Sequence, residues 1–186
     1  MKIEIIICTE YGYLEAQSKL LIYSIRKFGG ILKSADIYSY SPRKGNSLKK
    51  STIDFFGKYN VENIDLELNK DYPNYPLANK PIVCAHREKL STADVLIFLD
   101  SDTFFLQSPD FITDMKSNQL FMRPVGNKNI GTDILFSDDN ADYWQKLYKE
   151  LGVRNNRTVT TLEDNKKIVE YYNSGMIISS ISDGLF

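Results

Sequence analysis

A chain of 186 residues that is 42% hydrophobic and 25% charged carries enough apolar material for one α/β domain with a real core. Its formal net charge of -1 gives no broad field for a polyanion, so nucleic acid is excluded as a partner, and pairs such as Arg43-Lys44 read as solvated surface. The two cysteines, Cys8 and Cys84, supply neither a disulfide framework nor metal-ligand spacing and read as small buried residues of a reducing compartment.

The first apolar run, Ile3 to Cys8, is continuous with one charge, which predicts a strand buried on both faces and not a signal peptide. Leu14 to Phe28 spaces Leu14, Leu20, Leu21, Ile25 and Phe28 at roughly helical intervals, and Gly29-Gly30 ends that helix. Ala35 to Tyr40 predicts a second strand, Ser47 to Tyr59 a second helix and Val61 to Leu68 a third strand. Asp71 to Pro76, with two prolines and two tyrosines, predicts a loop.

A third helix is expected from about Pro81 to Ser91, with proline in its first turn. Asp94 to Leu99 contains Val95-Leu96-Ile97-Phe98-Leu99, the strongest central-strand signal in the chain. Leu120 to Pro124 and Asp133 to Ser137 are short strand candidates, and Asp139 to Leu151 predicts a helix carrying Trp144. Ile168 to Ser180 reads as a strand region around a turn at Asn173-Ser174-Gly175. No stretch reaches the ~20 apolar residues of a membrane span, and Asn156-Arg157-Thr158 is a chance glycosylation pattern without a secretory signal. The cytoplasm is the expected compartment, with a membrane surface reached only through parts outside this chain.

Alternating strands and helices with buried-type strands predict a mostly parallel sheet covered on both faces. Ligands of such sheets bind beyond the carboxyl ends of the strands, which singles out Thr9 to Tyr13 and Asp100 to Thr103. Asp100-Ser101-Asp102 follows five apolar residues directly. Two carboxylates turned toward one point repel each other, and a bound Mg²⁺ or Mn²⁺ removes that penalty. Such hard cations take few protein carboxylates and complete their shell with phosphate oxygens and water.

Val95 to Phe105, VLIFLDSDTFF, resembles the D-x-D segment of GT-A glycosyltransferases that use nucleotide-diphosphate sugars. The Thr9 to Tyr13 stretch, with Tyr11 and Tyr13, is similar to the start of that family's nucleotide-binding loop, where an aromatic ring stacks on the base. Asn79-Lys80-Pro81 opens the helix where similar proteins keep a basic residue for the diphosphate, a role lysine fills as a point charge. Tyr171 to Ile178, YYNSGMII, resembles the Asn-Ser-Gly segment of the glycogenin and lipopolysaccharide-galactosyltransferase group.

The resemblance implies a three-layer α/β/α sandwich spanning residues 1–186 as a single nucleotide-sugar-binding domain. It implies metal on Asp100 and Asp102, and donor contacts from Thr9, Tyr11, Tyr13, Lys80, Ser101, Asn173 and Gly175. Asp102, Lys80 and Asn173 are then the expected catalytic residues. The donor is a nucleotide-diphosphate sugar, UDP before GDP, and the acceptor an unspecified carbohydrate, lipid-linked or protein group.

Relatives of that group carry a later histidine for the metal and a basic segment over the donor phosphates, whereas this chain ends at Gly184-Leu185-Phe186. The expectation is therefore a missing C-terminal part. Apolar residues such as Met176, Ile178, Ile181, Leu185 and Phe186 would then drive association through that region. The one histidine, His86, reads as an ordinary helix residue.

Two other enzyme classes and one non-enzyme reading compete. LDSDT is similar to the nucleophile motif of haloacid-dehalogenase phosphatases, but Thr103 falls three residues after Asp100 and not four, and Asp100 ends about the fourth strand. Sugar-nucleotide pyrophosphorylases need a Gly-rich loop after the first strand, which CTEYGY is not. A domain that binds nucleotide sugar without transferring it is separated from the enzyme by turnover with an acceptor.

Overall fold

The computed structural model describes residues 1–116, 119–154 and 157–180. Asn156, and with it the glycosylation pattern, lies outside the described residues, as do Ile181, Leu185 and Phe186 and the association expected from them. Among the described residues no helix is long and apolar enough to cross a membrane.

Contacts gather the chain into two compact units, one running from Met1 to Phe121 and resuming at Gly175, the other Met122–Ser174. In the first unit the apolar runs become strands in the expected order. β1 (Ile3–Cys8) lies between β2 (Asp36–Ser41) and β4 (Val95–Leu99), parallel to both, and β3 (Val61–Asp65) extends the sheet beyond β2. Ile5 stands opposite both Ile37 and Ile97 in this register. With β5 (Leu120–Pro124) and β8 (Tyr172–Ser180) the full order is β3-β2-β1-β4-β8-β5, and β8 runs antiparallel to β4 with Ile178 opposite Ile97.

The pleat explains why β1 has no solvent-facing side. Ile3, Ile5 and Ile7 join Leu21, Ile22 and Ile25 of α1 (Tyr13–Phe28) and Phe56 of α2 (Lys50–Lys58) in one core. On the opposite face Ile6 packs with Tyr40, Leu96, Phe98 and with Val83 and Cys84 of α3 (Asn79–Leu90). Helices thus cover both faces of the sheet, the three-layer arrangement that continuous apolar strands require.

Three local expectations fail, the first two for a polar reason. β3 stops at Asp65 because Leu68 and Asn69 turn their N–H groups to the Pro42 carbonyl, at 3.0 and 2.9 Å, instead of continuing the ladder. Asp133 to Ser137 makes one isolated bridge, Asp133 to Ile168, and otherwise winds around the Asp133 carboxylate. That carboxylate accepts the N–H groups of Leu135 and Ser137 and the Ser137 hydroxyl, so side-chain capture of the backbone wins over strand pairing. Asn173-Ser174-Gly175 is not a turn but lies within β8, and the break from β7 (Lys167–Val169) falls at Glu170 and Tyr171.

The second unit contains α4 (Ala141–Glu150) and an antiparallel pair of β6 (Thr158–Thr160) with β7. β6 has no apolar period to announce it. Trp144 packs edge-on to Tyr171, with ring centroids 5.4 Å apart, and donates its indole N–H to the Ile130 carbonyl at 2.6 Å. Trp144→Phe keeps an aromatic body but orphans that carbonyl, so a loss of ~1 kcal/mol is expected. Denaturant titration reads it directly, with exposed Tyr143→Phe as the neutral control; equal stability of the two variants would remove any role for the indole N–H.

Candidate functional site

A cavity of about 320 Å³ opens at the carboxyl ends of β1 and β4, and every residue lining it belongs to the first unit. This is where a parallel sheet leaves its strand ends and loops free for a ligand.

The wall beyond β1 is built by a sharp change of course. Thr9 is fully buried: its hydroxyl meets Ser18 at 2.7 Å and accepts from Ser39 at 2.8 Å, while its carbonyl takes the Ser41 hydroxyl. The Thr9 side chain therefore ties β1 to β2 and α1 and does not line the cavity, in contrast to the donor contact expected of it. Glu10, next along, is buried against the cavity and held by Arg43 through Nε and Nη2 at 2.9 and 2.6 Å. Asn79 donates to the same carboxylate at 3.2 Å and in turn accepts from Asn69 at 2.8 Å. Those contacts fix the start of α3 beside the end of β1.

Gly12, at φ 110°, makes the turn into α1 in a region where a side chain would strain the backbone. Glu15 closes the start of that helix by accepting the Gly12 N–H at 3.1 Å. The two candidate tyrosines part company here. Tyr13, the first residue of α1, lines the cavity with its side chain 76% exposed. Tyr11 points elsewhere: Lys49 Nζ sits 5.1 Å from its ring centroid, and the residue is not part of the cavity wall. Leu14 and Gln17 join Tyr13 on the cavity face of α1, one and four positions on.

The wall beyond β4 carries the acidic pair. Asp100 donates its N–H to the Gly175 carbonyl at 2.8 Å, and its own carbonyl accepts from Thr103 at 3.0 Å. This turn brings Asp100, Ser101 and Asp102 together onto the cavity. The Ser101 hydroxyl donates to Gln17 Oε1 at 3.1 Å, which joins the acidic loop to α1. Lys80, on the first turn of α3, places Nζ 2.8 Å from Asp100 Oδ1 and 4.9 Å from the Phe98 ring centroid. Asp102 is exposed at the mouth.

Among the described residues no group of three or more His, Cys, Asp or Glu could hold a metal by itself. Two carboxylates nonetheless fit Mg²⁺ or Mn²⁺ as a partial shell, because those ions keep waters and take substrate phosphates. His86 is occupied elsewhere, with Nδ1 3.2 Å from the Tyr40 hydroxyl. Burial pushes the Cys84 thiol up to about 12 and raises that of the cavity residue Cys8 as well, which disfavours the thiolate at both.

Of the expected site residues, Asp100, Ser101, Asp102, Lys80 and Tyr13 share one cavity. Asn173 is exposed on β8 within the second unit, and Gly175 meets the acidic loop through its carbonyl. Glu10, Gln17 and Asn79 also line the wall; Glu10 and Asn79 fall in the segments Thr9 to Tyr13 and Asn79-Lys80-Pro81 but were given no role of their own, and Gln17 was not named. Gln17 could have been found from its place one turn after Tyr13. The dehalogenase arrangement is absent, since β1 ends at Cys8 and Asp100 follows β4.

A family model described as "Rhodobacterales glycosyltransferase domain" matches residues 5–184. No curated protein matches significantly. Among solved structures, the bifunctional glycosyltransferase WbbM, in its apo form, aligns over 97% of this chain and 31% of its own at 16% identity and a TM-score of 0.52. Mouse xyloside xylosyltransferase 1, also apo, aligns over 97% and 66% at 9% identity and a TM-score of 0.54. The galactosyltransferase LgtC, solved with donor and acceptor sugar analogues, aligns over 96% and 58% at 14% identity and a TM-score of 0.53. At such identities the likeness concerns the fold, and this chain spans between 31% and 66% of the length of these three proteins.

Proposed function

Because the chain belongs to the Rhodobacterales glycosyltransferase domain family and has the GT-A fold, we propose that its cavity binds a nucleotide-diphosphate sugar, preferring UDP, and transfers the sugar to a carbohydrate, lipid-linked or protein acceptor. The observation that carries this reading is the convergence of Asp100, Asp102, Lys80 and Tyr13 on one cavity at the carboxyl ends of β1 and β4. The cavity's volume is at the lower end of the usual range for small-molecule sites.

Each residue has a role that its chemistry allows. Tyr13 offers an exposed ring face for the base. Lys80 brings a compact positive charge to the diphosphate. Gln17 and Asn79 add amide groups to the wall. Mg²⁺ or Mn²⁺ held by Asp100 and Asp102 would supply electrostatic neutralisation of the charge that develops on the leaving diphosphate. No proton transfer from the protein is needed to release that group.

A thermal-shift panel of UDP, GDP and ADP, each with Mn²⁺ or with EDTA, tests the reading. UDP with Mn²⁺ should stabilise the protein by ~2.7 kcal/mol at a hundredfold excess over its dissociation constant. Equal stabilisation in EDTA would overturn the metal-assisted site. Tyr13→Ala should weaken UDP binding by ~1–2 kcal/mol, the range of a lost base stack, and leave the melting temperature in place because the ring packs into no core. Collapse of the fold in that variant would assign Tyr13 a structural role instead.

A further inference from the structure

We infer that the outer face of α1 and α2 docks on a lipid surface that carries negative charge. Sequence suggested that a membrane surface is reached only through parts outside this chain, whereas this face lies wholly within the first unit.

The net charge of -1 conceals a segregation. Between Tyr13 and Lys58 the chain carries nine basic residues against three acidic ones, so the rest of it holds the acidic excess. Both helices lie in that stretch and cover the same face of the sheet. Glu15 is buried at the start of α1, which leaves Asp54 as the exposed carboxylate of the two helices.

α1 has no ordinary solvent side. It turns Leu21, Ile22 and Ile25 to the core, while the exposed stripe runs through Ala16, Leu20, Tyr23 and Lys27 at helical spacing. A helix that faces only water places charged and polar residues along such a stripe. Here Leu20 is 55% exposed, and Ile53 of α2 is 38% exposed. An aromatic seam joins the two helices. Tyr23 meets Tyr59 edge-on with ring centroids 6.4 Å apart, and Tyr59 stacks on Phe55 at 4.5 Å.

Lysines surround that seam. Their Nζ atoms lie 6.0 Å from the Phe55 centroid for Lys19, 5.5 Å from Tyr23 for Lys27 and 5.6 Å from Tyr59 for Lys58. A cation over an exposed ring is weakly held and can yield to a phosphate.

Aliphatic groups, tyrosines and lysines on one face match the boundary between lipid headgroups and acyl chains. Leu20 and Ile53 gain by leaving water, and lysine stems cover apolar surface while their ammoniums reach headgroup phosphates. A soluble polyanion would use the lysines and leave the aliphatic groups wet. A second copy of the chain would cover the aliphatic groups but set lysine against lysine. An anionic lipid surface satisfies both.

Leu20 lies two turns along α1 from Tyr13, about 10 Å at the helical rise, so docking keeps the cavity mouth near the headgroups. If the donor reading holds, that favours the lipid-linked class of acceptor. Docking itself does not depend on that reading.

Co-sedimentation of the whole chain with vesicles tests the inference, using phosphatidylcholine alone or mixed with phosphatidylglycerol, in low and high salt. The chain should bind the mixed vesicles and be weakened by salt. One lysine near an anionic surface is worth about fivefold in affinity, so Lys19→Gln, Lys27→Gln and Lys58→Gln combined should cost on the order of a hundredfold. The same change at exposed Lys70, Lys89 and Lys149 should leave most of the binding. Leu20→Ser with Ile53→Ser should remove the part that survives high salt. Melting temperatures should stay near that of wild type, because none of these side chains belongs to the core. Failure to bind the mixed vesicles in preference to the neutral ones, or equal losses from the two lysine triples, would overturn the inference. So would dimerisation without vesicles that Leu20→Ser and Ile53→Ser abolish, which would assign the face to a second copy. Each of these results leaves UDP binding, and with it the donor reading, to stand or fall by its own measurement.

Discussion

Asp102→Asn should abolish Mn²⁺-dependent UDP binding, by a hundredfold or more in affinity, while the melting temperature of the free protein stays the same or rises slightly. The expected loss is large because the site has only two carboxylates to give, and among the described residues no third ligand is grouped with them to compensate. Replacing a ligand should exceed the ~10- to 100-fold cost of altering a residue that merely orients one. The free protein should not suffer, because Asp102 is exposed and its neighbour Asp100 is the one bound to Lys80. Removing a like charge beside Asp100 relieves repulsion and exposes nothing.

Asp100→Asn makes an instructive contrast. It removes the same formal charge but also the carboxylate that Lys80 meets at 2.8 Å, so the free protein should lose a little stability as well as metal binding. Calorimetry of both variants, with and without UDP and Mn²⁺, separates the cases. A melting temperature that falls by several degrees in Asp102→Asn would make that carboxylate structural, and retained Mn²⁺ dependence would remove it from the metal site.

The layout of the first unit was legible in sequence because its signals are redundant. Ile3 to Cys8 and Val95 to Leu99 are long enough apolar runs that only burial on both faces accounts for them, and two parallel neighbours of β1 follow from that. The position of Asp100 and Asp102 at the end of such a strand was likewise readable, since the turn lies where the apolar run stops.

What sequence could not deliver is direction within a loop. Thr9, Tyr11 and Tyr13 are equally spaced candidates. Only the Gly12 turn and the hydroxyls of Ser18 and Ser39 decide that Thr9 faces inward, Tyr11 goes to Lys49 and Tyr13 reaches the cavity. Partners distant in the chain were equally hidden. Gln17 and Ser101 are 84 positions apart. Asn-Ser-Gly composition favours a turn, yet β8 carries it because pairing of Met176 to Ser180 with β4 outweighs local preference.

The largest expected effect on stability lies away from the cavity, at a carboxylate buried in β1. Arg87→Met should cost ~3–5 kcal/mol at neutral pH, the usual penalty for stranding a buried charge. Glu4 has no exposed surface, and its Oε2 accepts Arg87 Nε at 2.7 Å and the Ser91 hydroxyl at 2.6 Å. Its Oε1 makes no hydrogen bond of good geometry and has only the half-exposed Lys2 ammonium at 3.3 Å. Arg87 also lies flat on Tyr38, with Cζ 3.5 Å from the ring centroid, so methionine loses a stacking surface as well as a charge.

The pH dependence carries a definite sign. Burial pushes the Glu4 carboxyl up, but the Arg87 and Ser91 hydrogen bonds and the Arg87 charge outweigh it and hold the group below its ordinary value. A lowered folded value means stability that is present above the unfolded carboxylate value of about 4.3 and is lost as pH falls through the folded one. Without Arg87 the push from burial meets only Ser91 and Lys2, the folded value rises, and protonation in acid then relieves the stranded group. The gap between wild type and Arg87→Met should therefore be widest near pH 7 and narrow toward pH 4. Urea titrations at the two pH values measure it. Glu4→Leu combined with Arg87→Leu should recover most of the loss, because an apolar pair leaves no charge to strand. A gap below ~1 kcal/mol that does not change with pH would mean that Lys2 and Ser91 suffice for Glu4 and that Arg87 serves only to cover Tyr38.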